Sequence, residues 1–437
     1  MPDGKHLARR MFQRTLASID IAGTMARKFP LDEKRLILPD GVLDFAGVDE
    51  VRAVAIGKAA HAMVAGLPAL LPAGIPLRGV VSAPTPPDAP AAGLRYFTGG
   101  HPTPNEASWK AAEAILELLQ DTTERTLLAF LLSGGGSALV EKPLDPAMTL
   151  ADVQAVHRAL VQCGAPIDEI NVVRKHLSSV KGGRLAKAAG RAKKITLAVT
   201  DVPAGKESAL ASGPTIADPT TIADAERVIR QYALREKFPA SLCAWLDSGS
   251  MPETPKRHDA AFADARFYLL LGLDDLFHSA HHAVEAHGYA CCCDNTTDDW
   301  QLDRAADTLL SQLEQLRQER PGQKVAIVAD GEVASPVTGN GVGGRNSAFV
   351  LACAERIAGK PITVLSAGTD GIDGNSPAAG AVADGETLER ARALGMDPAD
   401  FRKRSDAYTF FSRLDDDILT GPTGNNLRDL RFLLAEA

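Results

Sequence analysis

Short apolar runs that stop at small-residue turns and resume with helical periodicity recur along this chain, and that alternation confines it to α/β folds. The sharpest instance is residues 127–140 (LLAFLLSGGGSALV), where a strand-like run stops at Ser133-Gly134-Gly135-Gly136-Ser137. Such a turn lets backbone N–H groups converge on an anion, and a helix beginning just beyond would add its positive end. The same sequence also serves a plain strand-to-helix turn. Residues 51–56, 79–82, 94–97 and 195–199 are further strand candidates, and Asn105 is placed to cap a helix over 109–119. This order predicts an open parallel sheet with helices on both faces.

At 437 residues the chain exceeds one ordinary core. Residues 248–259 (SGSMPETPKRHD) read as a connection, so the expected division is an N-terminal Rossmann-like domain over 1–240 and a smaller C-terminal α/β domain over 241–437. The second domain is expected to hold strands over 267–271, 289–293, 324–329 and 362–366, with helices over 273–287, 303–316 and 347–357. A return of the last segment to the first domain stays open.

Composition excludes several classes. Hydrophobic residues make up 45% and charged residues 23%, as in soluble globular proteins. The net charge of −8 offers no footprint for nucleic acid or an acidic membrane surface. No apolar run is long enough to span a bilayer. Lys5, Arg9, Arg10 and Arg14 are not followed by an apolar core of a signal peptide. Met11, Leu16, Ile19 and Ile21 instead suggest an amphipathic first helix. The six cysteines (163, 243, 291, 292, 293 and 353) form no CxxC pair, which argues against structural zinc. Residues 291–293 read as a buried strand with alternating faces, and free thiols point to the reducing cytoplasm.

Four strand ends carry polar or Gly-rich turns, and ligands of open α/β sheets gather there. Lys58, after Gly57, can reach a phosphate as a point charge or sit as a surface lysine in a first helical turn. Asp201, after the apolar run ITLAV, can accept a hydroxyl proton, hold Mg²⁺, or form an Asx turn before Pro203. Residues 171–184 (NVVRKHLSSVKGGR) place Asn171, Arg174, Lys175 and Ser178 within reach of one helical face, for phosphate, carboxylate or solvent. GNGVGG (339–344) fits GxGxxG, but no convincing strand precedes it, so a loop that presents Arg345 to a transferring phosphoryl group is preferred. Asp370, Asp373 and Asp384 suit either a Mg²⁺ loop or simple turns; the DxDxDG spacing fails.

At these residues the chain resembles the MOFRL-type (class II) glycerate 2-kinases. The matching segments are SGGGSAL (133–139), NVVRKHLSSVKGGRLA (171–186), TDVP (200–203), ASGPT (211–215), GVGGRNSA (341–348), GTDGIDG (368–374) and GPTGNNLRDL (421–430). The resemblance implies a cytoplasmic two-domain α/β enzyme, monomeric or homodimeric, with an interdomain cleft. It implies transfer of the ATP γ-phosphoryl group, with Mg²⁺, to the 2-hydroxyl of D-glycerate, giving 2-phospho-D-glycerate and ADP. Carried over by motif, Lys58, Asp201 and Arg345 are the catalytic set. Ser133, Gly134, Gly135, Gly136, Ser137, Asn171, Arg174 and Lys175 bind phosphate or substrate, and Asp201 and Asp370 hold the metal. The chain departs from the pattern at Ala204-Gly205-Lys206-Glu207, at Pro377, at Asn425 and over 272–303. Two other readings compete: an NAD(P)H-dependent hydroxypyruvate reductase, resting on GNGVGG with His176 or His101 as proton donor, and a non-catalytic sugar-acid or nucleotide sensor.

Overall fold

The computed structural model describes residues 4–437 other than 201, 203, 204, 425 and 426. The chain divides into two compact units, one spanning 21–271 and the other combining the first 20 residues with 272–437. The division thus falls at 271 where the sequence placed it at 240, and the N-terminal helix belongs to the later unit.

The first unit opens with a small antiparallel sheet of β1 (Leu31–Asp32), β2 (Arg35–Leu38) and β3 (Gly41–Asp44). Six strands then form its main sheet: β4 (Glu50–Ile56), β5 (Leu77–Ala83), β6 (Leu94–Thr98), β7 (Thr126–Ser133), β8 (Lys193–Val199) and β9 (Ala265–Leu271). They lie in the order β6-β5-β4-β7-β8-β9, and every pairing is parallel. This is the 3-2-1-4-5-6 order of a doubly wound sheet, whose chain reverses direction between its first and fourth strands. All eight residues of β7 are buried, as a strand covered on both faces requires. β9 explains the shifted boundary. It pairs with β8 through Lys194↔Ala265 to Val199↔Leu271, after a long excursion that begins beyond β8. Within that unit the helices Leu150–Val161, Ile167–Leu177, Ile222–Gln231 and Ala240–Asp247 share a core of their own.

The second unit holds β10 (Ala290–Asp294), β11 (Val325–Asp330), β12 (Ile362–Gly368), β13 (Gly380–Asp384), β14 (Asp417–Ile418) and β15 (Asp429–Ala435), in the order β10-β11-β15-β12-β13-β14. Only β10 and β11 run parallel. β15 runs antiparallel to β11 and β12 and separates them, so the last segment stays in this unit. The alternation that predicted parallel strands does not extend to β13–β15: β13 and β15 follow loops, and β14 follows three short helices over 387–412 yet still pairs antiparallel with β13. The helix Gly4–Ser18 buries Met11 and Phe12 completely and ties itself on through Lys5, whose Nζ lies 2.7 Å from Asp416 Oδ2. Burying each of those two side chains contributes about 1.5–3 kcal/mol, enough to hold a short helix in place. Among the described residues no helix is long and apolar enough to cross a membrane.

Candidate functional site

The first unit's site forms where the winding of the sheet reverses. β4 and β7 are neighbours there, and the turns Gly57-Lys58 and 133–137 leave their carboxyl ends side by side. Gly57 has φ +129°, and a Cβ at that position would lie 2.1 Å from Ser133 Oγ and 2.5 Å from Ser133 O. Only glycine lets the two turns meet. Their backbones are then joined: Lys58 N–H donates to Gly134 O at 3.0 Å, and Ala59 N–H donates to Ser133 Oγ at 2.9 Å. The Lys58 stem passes Gly135, with Cγ 3.5 Å from where a Cβ on that glycine would sit, and His101 lies on the same spot at 3.1 Å.

The helix after this turn, Gly136–Leu139, is a single turn. Its dipole is therefore short, contrary to the expectation of a helix end aimed at an anion. What the turn offers is N–H groups. Among the described residues none accepts from the backbone N–H of Gly134, Gly135, Gly136 or Ser137.

Hydrogen bonds continue from this turn into the following motifs. Ser137 Oγ and Ser212 Oγ are 2.8 Å apart, and Ser212 Oγ donates to Asn171 Oδ1 at 3.1 Å. Ser212 is fully buried and sits in a run of three left-handed residues: Ala211 (φ +50°), Ser212 (φ +60°) and Gly213 (φ +62°). For the two non-glycines this costs on the order of 1–3 kcal/mol each. Gly182 and Gly183 N–H donate to Ser212 O and Gly213 O at 3.0 and 2.8 Å, which holds the strained turn. Ser212 was not singled out as a site residue in the sequence. Its signal was ASGPT, two small residues ahead of Gly-Pro.

The helix Ile167–Leu177 splits the four basic-run candidates between two environments. Asn171 faces Ser212, and buried Lys175 lies 3.3 Å from Asp218 Oδ1 and 3.5 Å from Ser208 Oγ. Arg174 instead lines a cavity of about 20 Å³, room for one water, with Glu141, His157 and Ser178. Glu141 accepts from Ser178 Oγ at 2.6 Å and from His157 Nε2 at 3.2 Å, and is paired with buried Lys181. Burial alone would raise the Glu141 carboxyl; Lys181 and then His157 override it and hold it at about 2. Asp201 lies outside the described residues. Lys206 is exposed and pairs with Asp168 at 2.9 Å.

The second unit carries a charged cluster at the carboxyl ends of β11 and β12. Arg345 begins the helix Arg345–Ile357, and its Nε lies 2.5 Å from Asp429 Oδ2 and its NH2 2.5 Å from Glu332 Oε1. Burial pulls the guanidinium pKa down, but Asp429 and Glu332 more than offset this and leave it above its ordinary value. Asp429 Oδ1 and Asp370 Oδ1 both press on Gly368, at 3.4 and 3.0 Å from the position of a Cβ there.

The GNGVGG loop packs on the 370–375 loop rather than leaving a nucleotide cradle. Buried Asp373 accepts from Asn346 N and Ser347 N at 2.9 Å each and from Ser347 Oγ at 2.6 Å. A Cβ on Gly344 would come within 2.2 Å of that carboxylate. The end of the helix that a pyrophosphate would need is thus taken by Asp373.

A glycine turn with a lysine beside it at the strand ends of one α/β sheet, and a charged cluster at the strand ends of the other, suit a small-molecule enzyme, and comparison with known proteins gives its class. Residues 7–247 match a domain of unknown function, DUF4147, and residues 325–429 match the MOFRL family. The chain is 34% identical over 386 residues to the D-glycerate 2-kinase of Thermotoga maritima, covering 88% of this chain and 90% of that one. It is 37% identical over 385 residues to a putative hydroxypyruvate reductase of Agrobacterium vitis, covering 87% and 86%. The crystal structure of the Thermotoga maritima glycerate kinase superposes with a TM-score of 0.83 at 31% identity, over 100% of both chains. The chain belongs to the MOFRL-type glycerate kinase family, and it is a phosphotransferase.

Proposed function

We propose that this protein transfers the γ-phosphoryl group of ATP to the 2-hydroxyl of D-glycerate, giving 2-phospho-D-glycerate and ADP, with Mg²⁺ as the metal. The observation that carries this reading is the joined pair of turns at the β4–β7 switch, where Lys58 stands beside N–H groups of residues 134–137. Phosphoryl transfer needs mainly positioning and charge neutralisation, and such a turn supplies both without a general acid.

In this reading Lys58 and Arg345 neutralise the transferring group, and Asp201 orients or deprotonates the acceptor hydroxyl. Residues 133–137 receive a phosphate or carboxylate, with Asn171 and Lys175 behind them. Arg174, carried over with them by motif, lines the Glu141 cavity. Hard oxygen donors suit Mg²⁺, and Asp201 and Asp370 are assigned to hold it, where it would neutralise phosphate charge. Arg345, already flanked by two carboxylates, is fixed in orientation before any substrate arrives.

A reductase reading has the Agrobacterium vitis name in its favour, but its one motif has its helix end occupied by Asp373. The deciding experiment is a coupled ADP-release assay with ATP, Mg²⁺ and D-glycerate, with the product identified by NMR. A 2-phosphate whose formation depends on glycerate supports the proposal. Turnover of NAD(P)H with hydroxypyruvate, and none of ATP with any 2-hydroxy acid, overturns it.

A further inference from the structure

The stretch over 272–303, which carries none of the family's motifs, brings together soft metal ligands. β10 is an edge strand, parallel to β11 on one side only. Strand alternation turns Cys291 and Cys293 to one face and Cys292 to the other. The preceding helix, Leu273–Glu285, delivers His281 to the Cys291–Cys293 face: its Nδ1 lies 3.4 Å from Cys293 Sγ. The Sγ atoms of Cys291 and Cys293 and a ring nitrogen of His281 all lie within 4.8 Å of one another. All three cysteines of β10 are free thiols.

We propose that His281, Cys291 and Cys293 form a metal site for a borderline-soft divalent cation of the zinc class. Metal–sulfur and metal–nitrogen bonds of about 2.3 and 2.0 Å, at a tetrahedral angle, set a sulfur–nitrogen edge of about 3.5 Å. The Cys293–His281 separation already matches it. The other ring nitrogen of His281 lies 3.2 Å from Glu285 Oε1, the carboxylate arrangement that fixes the tautomer of a metal-bound imidazole. Cys293 is exposed and gives the ion an entry path, and the fourth position is left to water. Two thiolates and an imidazole select against Mg²⁺, which takes oxygen donors, so the site is separate from the metal of phosphoryl transfer. The sequence concealed it because its ligands are spaced 281, 291 and 293, without a CxxC.

The test uses the full chain, reduced and stripped of metal, titrated with Co²⁺. The expected result is one equivalent bound, with a sulfur-to-cobalt charge-transfer band and the intense visible bands of a tetrahedral complex. Zn²⁺ then bleaches the spectrum, and excess Mg²⁺ does not. Cys293→Ser and His281→Ala abolish the signal, Glu285→Gln weakens Co²⁺ binding about 10–100-fold, and Cys292→Ser leaves it unchanged. X-ray absorption on the Zn²⁺-loaded wild type, which needs no variant to fold, should show two sulfur neighbours. Coordination by nitrogen and oxygen alone overturns the site. So does an unchanged signal in Cys293→Ser, or a Cys291–Cys293 disulfide that persists in reductant and binds no Co²⁺.

Discussion

The turn at residues 133–137 and the cluster around Arg345 stand at the ends of two sheets and are built by opposite means. The first is nearly free of side chains: glycines bring backbones together, and one lysine stem and N–H groups that no described residue accepts from supply the polarity. The second is dense in charge, and its arginine is already flanked by Asp429 and Glu332. A turn walled by glycines leaves room for a large anion against its backbone. A pre-paired arginine keeps one orientation, at the cost of competing with its own carboxylates for a ligand. One region is shaped by strain and the other by electrostatics, and substitutions should separate them.

The largest effects should come from Gly57→Ala and Gly344→Ala. Each forces a Cβ within 2.5 Å of backbone, at Ser133 in one unit and Asp373 in the other. We expect a loss of about 4 kcal/mol or more in chemical denaturation for either variant. A loss under about 1 kcal/mol for Gly57→Ala would show that the two turns can part and that glycine is not what joins them.

Lys58→Ala and Arg345→Ala should each lower kcat about 10²–10³-fold, as when one donor to a developing charge is removed. They should differ in stability. Arg345→Ala strands buried Asp429 and should lower the melting temperature more than Lys58→Ala, which removes a half-buried side chain at a glycine turn. Equal melting shifts would break the contrast drawn above.

The two units should also respond to pH in opposite directions. Asp330 is fully buried; burial raises its carboxyl to about 6, only partly countered by Arg428. An unfolded aspartate titrates near 4, so the folded state binds the extra proton. Stability from this group is present below pH 4 and is lost as pH rises towards 6, on the order of 3 kcal/mol. Glu141 has the reverse sign: its stabilisation is present above pH 4 and is lost as pH falls towards 2. Asp330→Asn should flatten the upper slope and Glu141→Gln the lower one, read from urea midpoints across pH. A wild-type slope of one sign throughout would refute the pairing.

The smallest effect belongs to Ser212→Ala. It removes the bridge between Ser137 and Asn171 and should cost about 1 kcal/mol. If residues 133–137 bind substrate, KM should rise more than kcat falls. A change in kcat alone would place Ser212 nearer the chemistry.

How much of this was legible depended on whether the cause was local. The strands over residues 51–56, 79–82, 94–97, 127–132 and 195–199 and the cap at Asn105 were readable, because periodicity and capping act within a few residues. Gly57 was visible as a turn, but not as the one residue that lets β4 and β7 end together. The boundary at 271 was hidden because β9 returns to β8 across a long helical excursion. β15 was not read at all, since its neighbours lie about 70 and 110 residues away by the registers Ile362↔Ala435 and Val325↔Ala435. Asp373 capping a helix 26 residues earlier was equally out of reach of local patterns.

The threading of β15 between β11 and β12 also bears on how the chain is made. The unit over 21–271 has all its strands once residue 271 has left the ribosome, so it can fold while synthesis continues. The helix Gly4–Ser18 emerges before that unit, yet its partners, the helix Leu273–Glu285, β12 and Asp416, come about 270 to 410 residues later. Until then Met11 and Phe12 have no place to bury. The nascent chain therefore carries an apolar leading segment beside a finished domain, a natural target for a chaperone during translation and a point where slow elongation would favour aggregation.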